Sequence, residues 1–285
     1  MATEKGRMTV ADFEAGMFEL EGSTEFINMM IYGDSGCGKT VLAGTLPGRV
    51  LFLAGEPGYI SAARQGARGK VRLIPDTATA VAAQRWLEDG AASRFDWVVV
   101  DGLGTMGNKF LLNYAAEAFD ANPAKRAHRN LPDKPDYFNT QNFMKSWVAA
   151  LIDLPVNVLF TAHAMRPEGE DGETLVYPGI QGKGYEISNY IAGLMHVVGY
   201  MAIRIQKGAK AGEARQVRRV LWRGWVDEEN ETRYFAKDQF DALGVSSVIR
   251  EPDNQDGVMM PEIIRLCNPG GNSTPAKKTA RKRAA

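Results

Sequence analysis

Cysteine and histidine are scarce in this sequence, at two and three residues. Cys37 and Cys267 alone allow no disulfide framework and no zinc spacing, so a reducing compartment, the cytoplasm, is expected. No apolar run reaches the roughly 18 residues that a spanning helix needs, so no membrane association is expected. Residues 1–22 mix acids with glycine and lack an apolar core segment, so no secretory signal is expected there. Net charge is also absent: 34 basic side chains balance 34 acidic ones. The balance is uneven along the chain. Residues 268–285 hold Lys277, Lys278, Arg281, Lys282 and Arg283 and no acid. Removing these five from the 34 leaves 29 basic against 34 acidic side chains on the other 267 residues. A slightly acidic body therefore carries a basic tail.

What is present is enough apolar material for a core. Hydrophobic residues make up 45% of the 285, and charged residues 24%. That length suits one large α/β domain with appendages. Short apolar runs recur: 26–32, 50–54, 71–74, 97–100 and 156–160. Each reads as a strand, most of them buried on both faces of a sheet. Helical spacing fills the gaps at 39–45, 79–88 and 138–154, the last with Phe143, Trp147, Leu151 and Leu154 near one face. Alternating strands and helices imply right-handed crossovers and a mostly parallel sheet flanked by helices. Residues 194–205 and 217–225 are β-rich and joined by a polar loop, which predicts an added antiparallel hairpin. The expected organisation is an arm over 1–25, a core over 26–267 and a disordered basic tail over 268–285.

The most specific chemistry lies just after the first strand. Gly33-Asp34-Ser35-Gly36-Cys37-Gly38-Lys39-Thr40 is a complete G-x-x-x-x-G-K-T. Its glycines let backbone N–H groups wrap a phosphate, and the following helix points its positive end at the same charge. Lys39, placed at a surface turn, is expected to reach the β- and γ-phosphates of ATP, and the Thr40 hydroxyl to ligate Mg²⁺. Cys37 reads as a small filler. A second metal contact is expected from Asp101, delivered at the carboxyl end of the apolar strand Trp97-Val98-Val99-Val100. Hydrolysis needs a group that orients or deprotonates water. Glu56 follows the strand over 51–54, expected beside the P-loop strand, and could be that base. Thr161 and His163, at the end of the strand over 156–160, could sense the γ-phosphate.

These elements resemble, over about residues 26–240, the RecA-like ATPases, and in particular the small phage-encoded, core-only recombinases of the Sak-four group. The resemblance rests on the order of Walker A at 33–40, Gly55-Glu56-Pro57-Gly58, Asp101-Gly102-Leu103 and Leu159-Phe160-Thr161-Ala162-His163-Ala164. It implies a RecA-like P-loop NTPase fold, with Glu56 as catalytic base and Thr161 or His163 as γ-phosphate switch. It also implies a homo-oligomer with ATP between subunits. A Lys-x-Arg pair of the relatives reaches the neighbour's ATP. Lys237 matches its lysine, and Gln239 stands where the arginine is expected. Two loops would face single-stranded DNA. The first lies between Asp101 and Phe138 and holds Lys109, Lys125, Arg126, His128, Arg129 and Lys134. The second runs from His163 to Lys183 with Arg166 and Tyr177, and also carries Glu168, Glu170, Asp171 and Glu173. A single-strand-binding protein is a further implied partner.

Two other classes share the phosphate motif. A small-molecule kinase needs an Arg-rich lid over the phosphates. Residues 165–185 are instead Gly-rich and acidic with one arginine. A nucleotide-gated loader would bind ATP and barely turn it over.

Overall fold

In the computed structural model, β1 (Asn28–Gly33) is buried along its whole length. It could not be otherwise placed, because its side chains alternate between two apolar layers. Met29 and Ile31 pack with Val50, Phe52, Trp97, Val99 and Leu159 on one face. Met30 and Tyr32 pack with Leu51, Leu53, Val98, Val100, Val158 and Phe160 on the other. The structure describes residues 26–169, 171–181, 186–207, 214–252 and 255–268, together with Glu14 and Met17. The rest of the expected arm, the expected tail beyond Asn268, and Lys183 lie outside the described residues.

After β1 come α1 (Lys39–Ala43), β2 (Val50–Ala54), α2 (Tyr59–Arg64), β3 (Lys70–Leu73), α3 (Thr77–Glu88) and β4 (Trp97–Asp101). Two 19-residue helices follow, α4 (Leu103–Ala121) and α5 (Lys134–Ile152), then β5 (Asn157–Met165), β6 (Thr174–Gly179) and α6 (Glu186–Gly193). The chain ends in β7 (Val197–Lys207), β8 (Ala214–Leu221), β9 (Trp225–Asp227), β10 (Thr232–Tyr234), β11 (Lys237–Asp238), β12 (Ser246–Val248) and α7 (Met260–Cys267). The main sheet has the order β12-β8-β7-β1-β5-β4-β2-β3. Its six strands from β7 to β3 are all parallel. β8 and β12 extend it antiparallel, which bears out the expected hairpin of β7 and β8. No described helix is long and apolar enough to cross a membrane.

Helices cover both faces because both are apolar. On the face of Met30 and Tyr32, α5 buries Trp147, and its indole N–H donates to Ala80 O of α3 at 3.1 Å. Phe110 of α4 meets Phe143 and Trp147 edge-on. On the other face α1 and α7 close the layer around Trp222. α5 starts at Lys134, four residues before the expected Phe138. Asp133 and Asp136 form a capping box there, and a proline lies in the first turn.

Three expectations about the fold fail. The strand of Glu56, β2, is not beside the P-loop strand, because β5 and β4 lie between them. The segment from Asp101 to Phe138 is mainly helical: Lys109 lies in α4, Lys134 opens α5, and only the stretch between is loop and 3₁₀ turn. Leu103, Met106, Phe110 and Leu111 bury one side of α4, and that burial outweighs its glycines. The second expected loop is also shorter than read, since β5 runs on to Met165 and pairs antiparallel with β6.

Candidate nucleoside triphosphate site

The parallel register sets the site at the carboxyl ends of the central strands, where the turns after β1, β2, β4 and β5 converge. Gly33 lies opposite His163 of β5 on one side and Met201 of β7 on the other. Gly36 and Gly38 have φ of 77° and 102°, left-handed values that let the loop turn its amides inward before α1 begins.

Lys39 is buried, not at a surface turn, because the loop folds over its side chain. Its ammonium donates to Gly33 O at 3.0 Å and to Asp34 O at 2.9 Å, within the hollow where the β- and γ-phosphates would lie. Cys37 is buried as a filler, as expected, and burial pushes its thiol upward.

Asp101 is fully buried at the end of β4. Oδ1 accepts the Thr40 hydroxyl at 2.9 Å and the Thr161 hydroxyl at 2.7 Å. Among the described residues, Oδ2 is one of three buried side-chain atoms with no hydrogen-bond partner. Burial raises the Asp101 carboxyl, and the two hydroxyls oppose it. A buried carboxylate oxygen left open beside a threonine hydroxyl fits a hard cation that takes its remaining ligands from phosphates and water. The turn after β2 leaves room for it. A Cβ on Gly58 would stand 2.9 Å from Thr40 Oγ1 and 3.0 Å from Asp101 Oδ2. Thr40 and Asp101 are therefore the residues that would hold Mg²⁺. Asp101→Asn keeps an acceptor for both hydroxyls, so folding should persist. The Mg²⁺ concentration for half-maximal ATPase activity should rise about tenfold or more, the scale of one charged contact. A wild-type metal titration would remove Asp101 from the metal site.

Thr161 is buried against Asp101. Besides donating to Oδ1, its hydroxyl accepts from Gly102 N at 2.8 Å, so it orients the carboxylate that would hold the metal. His163, two residues on, lies within β5 and not at its end, because the strand continues to Met165. Its Nε2 lies 3.6 Å from Glu56 Oε2. Glu56 also accepts from the Thr105 hydroxyl at 3.1 Å. Although β2 is remote from β1, it lies beside β4, Gly55 N continues their ladder by donating to Asp101 O at 2.9 Å, and the turn then reaches Thr40 and Asp101 at Gly58. An open depression of about 270 Å³, lined by Thr105, Asn108, His163 and Met165 among others, adjoins the Glu56–His163 pair. Water can approach the pair from there.

Lys237 stands apart from this constellation in its own subunit. β11 pairs with β7 at Val198, while the P-loop begins at the level of Met201. Three residues of strand amount to about 10 Å. The Lys237 ammonium donates to Gly193 O at 2.8 Å. The expected DNA-facing cations are largely engaged. Lys109 donates to Gly55 O, Arg126 pairs with the buried Asp136, and Arg129 pairs with Asp120 at 2.7 Å.

The site also includes residues the sequence reading did not single out. Thr105 carries a weak signal, four residues past Asp101 at the start of a helix. Arg218 of β8 carries none. Its Nε donates to Cys37 O at 3.0 Å, its guanidinium pairs with Glu251, and it braces the P-loop from the antiparallel edge.

A P-loop after a central strand, a buried acid at the end of the next strand but one and a Glu–His pair beside them are the arrangement of a RecA-like P-loop ATPase fold. A family model described as an AAA domain matches residues 25–240, and the chain belongs to that family. No curated protein matches the sequence. Among solved structures, a KaiC-like protein of Pyrococcus horikoshii OT3 is 12% identical, with 68% of this chain and 77% of that chain covered and a TM-score of 0.36. The flagellar accessory protein FlaH of Methanocaldococcus jannaschii is 10% identical, with 82% and 88% covered and a TM-score of 0.39.

Proposed function

We propose that the protein is a Mg²⁺-dependent ATPase whose turnover is coupled to single-stranded DNA, in recombination or replication of the phage type. The observation that carries the ATPase reading is the convergence of Lys39, the Thr40–Asp101 pair and the Glu56–His163 pair at one sheet edge. In that arrangement Lys39 holds the triphosphate and Glu56 takes a proton from the attacking water. His163 links Glu56 to β5. A bound Mg²⁺ would supply charge neutralisation on the β- and γ-oxygens. Glu56 favours water as the acceptor over a kinase substrate hydroxyl. The segment after β5 folds into a strand pair with one arginine in place of an Arg-rich lid.

The DNA reading is supported by the resemblance to core-only recombinases of the Sak-four group and by the five cations of the tail. On this reading the protein assembles with its own copies, Lys237 reaches a neighbour's ATP, and a single-strand-binding protein shares the DNA. A steady-state ATPase assay with and without single-stranded DNA tests it: stimulation is expected. Magnesium-dependent turnover that DNA leaves unchanged would retain the ATPase and remove the DNA. ATP binding with negligible turnover in both arms would favour a nucleotide-gated loader. Removing residues 268–285 should leave basal turnover intact and make the dependence of log affinity on log salt shallower. With about 0.7 per phosphate contact on single strands, five contacts shift the slope by about 3.5 at most. An unchanged slope would leave the tail without a role on DNA.

A further inference from the structure

The second residue of this P-loop is Asp34, an acid on a loop that serves an anion, and its half-exposed carboxylate is held by a cation from outside the loop. Arg166, just past the end of β5, donates from Nη2 to Asp34 Oδ2 at 2.7 Å. The Lys39 ammonium touches the Asp34 carbonyl at 2.9 Å. The hydrogen bond from Arg166 holds the Asp34 carboxyl below the usual range, with Lys39 and Arg204 adding to the effect.

The position of Arg166 follows from the sheet. β5 lies directly beside β1, and His163 is level with Gly33. Three residues further on, Arg166 overhangs the first turn of the P-loop, on the same sheet edge as Lys39, Glu56 and His163. Arg166 and the phosphate-binding lysine thus flank one residue. Both side chains of the Arg166–Asp34 pair are about half exposed, at 45% and 53%. An exposed pair of this kind contributes little stability, about 0–1 kcal/mol, so its partners exchange readily.

We propose that Arg166 is a γ-phosphate-binding residue acting within its own subunit, held in reserve by Asp34 until a triphosphate displaces the carboxylate. The γ-phosphate carries more charge than Asp34 and presents oxygens that a guanidinium can grip in bidentate fashion. Asp34 occupies the arginine when that phosphate is absent. A diphosphate does not extend far enough to compete. The exchange makes the site discriminate ATP from ADP, which phosphate wrapping by backbone amides alone would do poorly. The proposal rests on the reading of this site as a nucleoside triphosphate site.

Its test is the ratio of two affinities, measured by calorimetry on the full chain with Mg²⁺, ADP and a non-hydrolysable ATP analogue. Arg166→Ala should weaken the analogue about tenfold or more, one charged hydrogen bond, and change ADP by less than about twofold. Arg166→Lys should recover part of the loss. Asp34→Asn should tighten the analogue, since the arginine no longer has to be taken from a carboxylate. In the Arg166→Ala background that gain should vanish. Equal losses for ADP and the analogue in Arg166→Ala would make the arginine a loop clip and overturn the proposal. So would a gain from Asp34→Asn that persists without Arg166. Wild-type protein that binds neither nucleotide would instead refute the underlying site reading and the proposal with it.

Discussion

Lys39→Ala is expected to weaken ATP binding by about 10²-fold, with turnover falling at least as far. The ammonium is a charged donor to phosphate oxygens, and one such contact is worth up to about 3 kcal/mol. The structure adds a complication. Lys39 is buried, and its ammonium satisfies the carbonyls of Gly33 and Asp34. Alanine leaves both acceptors facing the hollow of the loop, where water can replace the lysine, so only a modest loss of global stability should follow. The β1 core beneath is untouched, because Met29 to Tyr32 pack within the two layers independently of the lysine. Circular dichroism and a denaturation midpoint check this, and calorimetry measures binding. ATP binding at wild-type affinity in a folded variant would move the phosphate site away from this loop. The same variant tests assembly. If Lys237 completes a neighbour's site, mixing Lys39→Ala with Lys237→Ala protein should restore part of the turnover, because mixed assemblies rebuild an intact pair.

The sequence made some of this legible and hid the rest, and the division follows the range of the interactions. The P-loop is eight contiguous residues with a strand before and a helix after, so its chemistry is local and reads directly. The central strands read well because burial on both faces leaves continuous apolar runs, as in Trp97 to Val100. Strand order is different. Nothing within residues 50–54 records that β4 and β5 intervene between β2 and β1, since any buried strand would look the same. Helix α4 was masked by Gly104, Gly107 and Lys109, which suggest a basic loop. The roles of Thr161 and Arg218 depend on partners 60 and 181 residues away, Asp101 and Cys37, and such contacts leave no local pattern. Thr161 and His163 shared one strand end in the sequence. Only their contacts separate a residue that orients Asp101 from one that meets Glu56.

That separation bears on the second large effect. Glu56→Gln should preserve ATP binding and lower kcat by about 10²-fold or more, the contribution of a general base. Glutamine matches the shape of glutamate and can still accept from Thr105, so the turn over 55–58 should keep its form. What is lost is the capacity to take a proton. The contact with His163 distinguishes this from a structural role. The Nε2 atom lies 3.6 Å from Oε2, beyond hydrogen-bond distance, so His163 neighbours the carboxylate without replacing it. His163→Ala should therefore lower kcat by less than Glu56→Gln does, and adding it to Glu56→Gln should cost little more. Residues that act through one proton transfer are not additive. Single-turnover hydrolysis on preloaded Mg²⁺–ATP reads the chemical step apart from product release. Near-wild-type single-turnover rates in Glu56→Gln would reduce Glu56 to a residue that only shapes the turn, and the base would then have to be sought elsewhere along the depression beside Thr105 and Asn108.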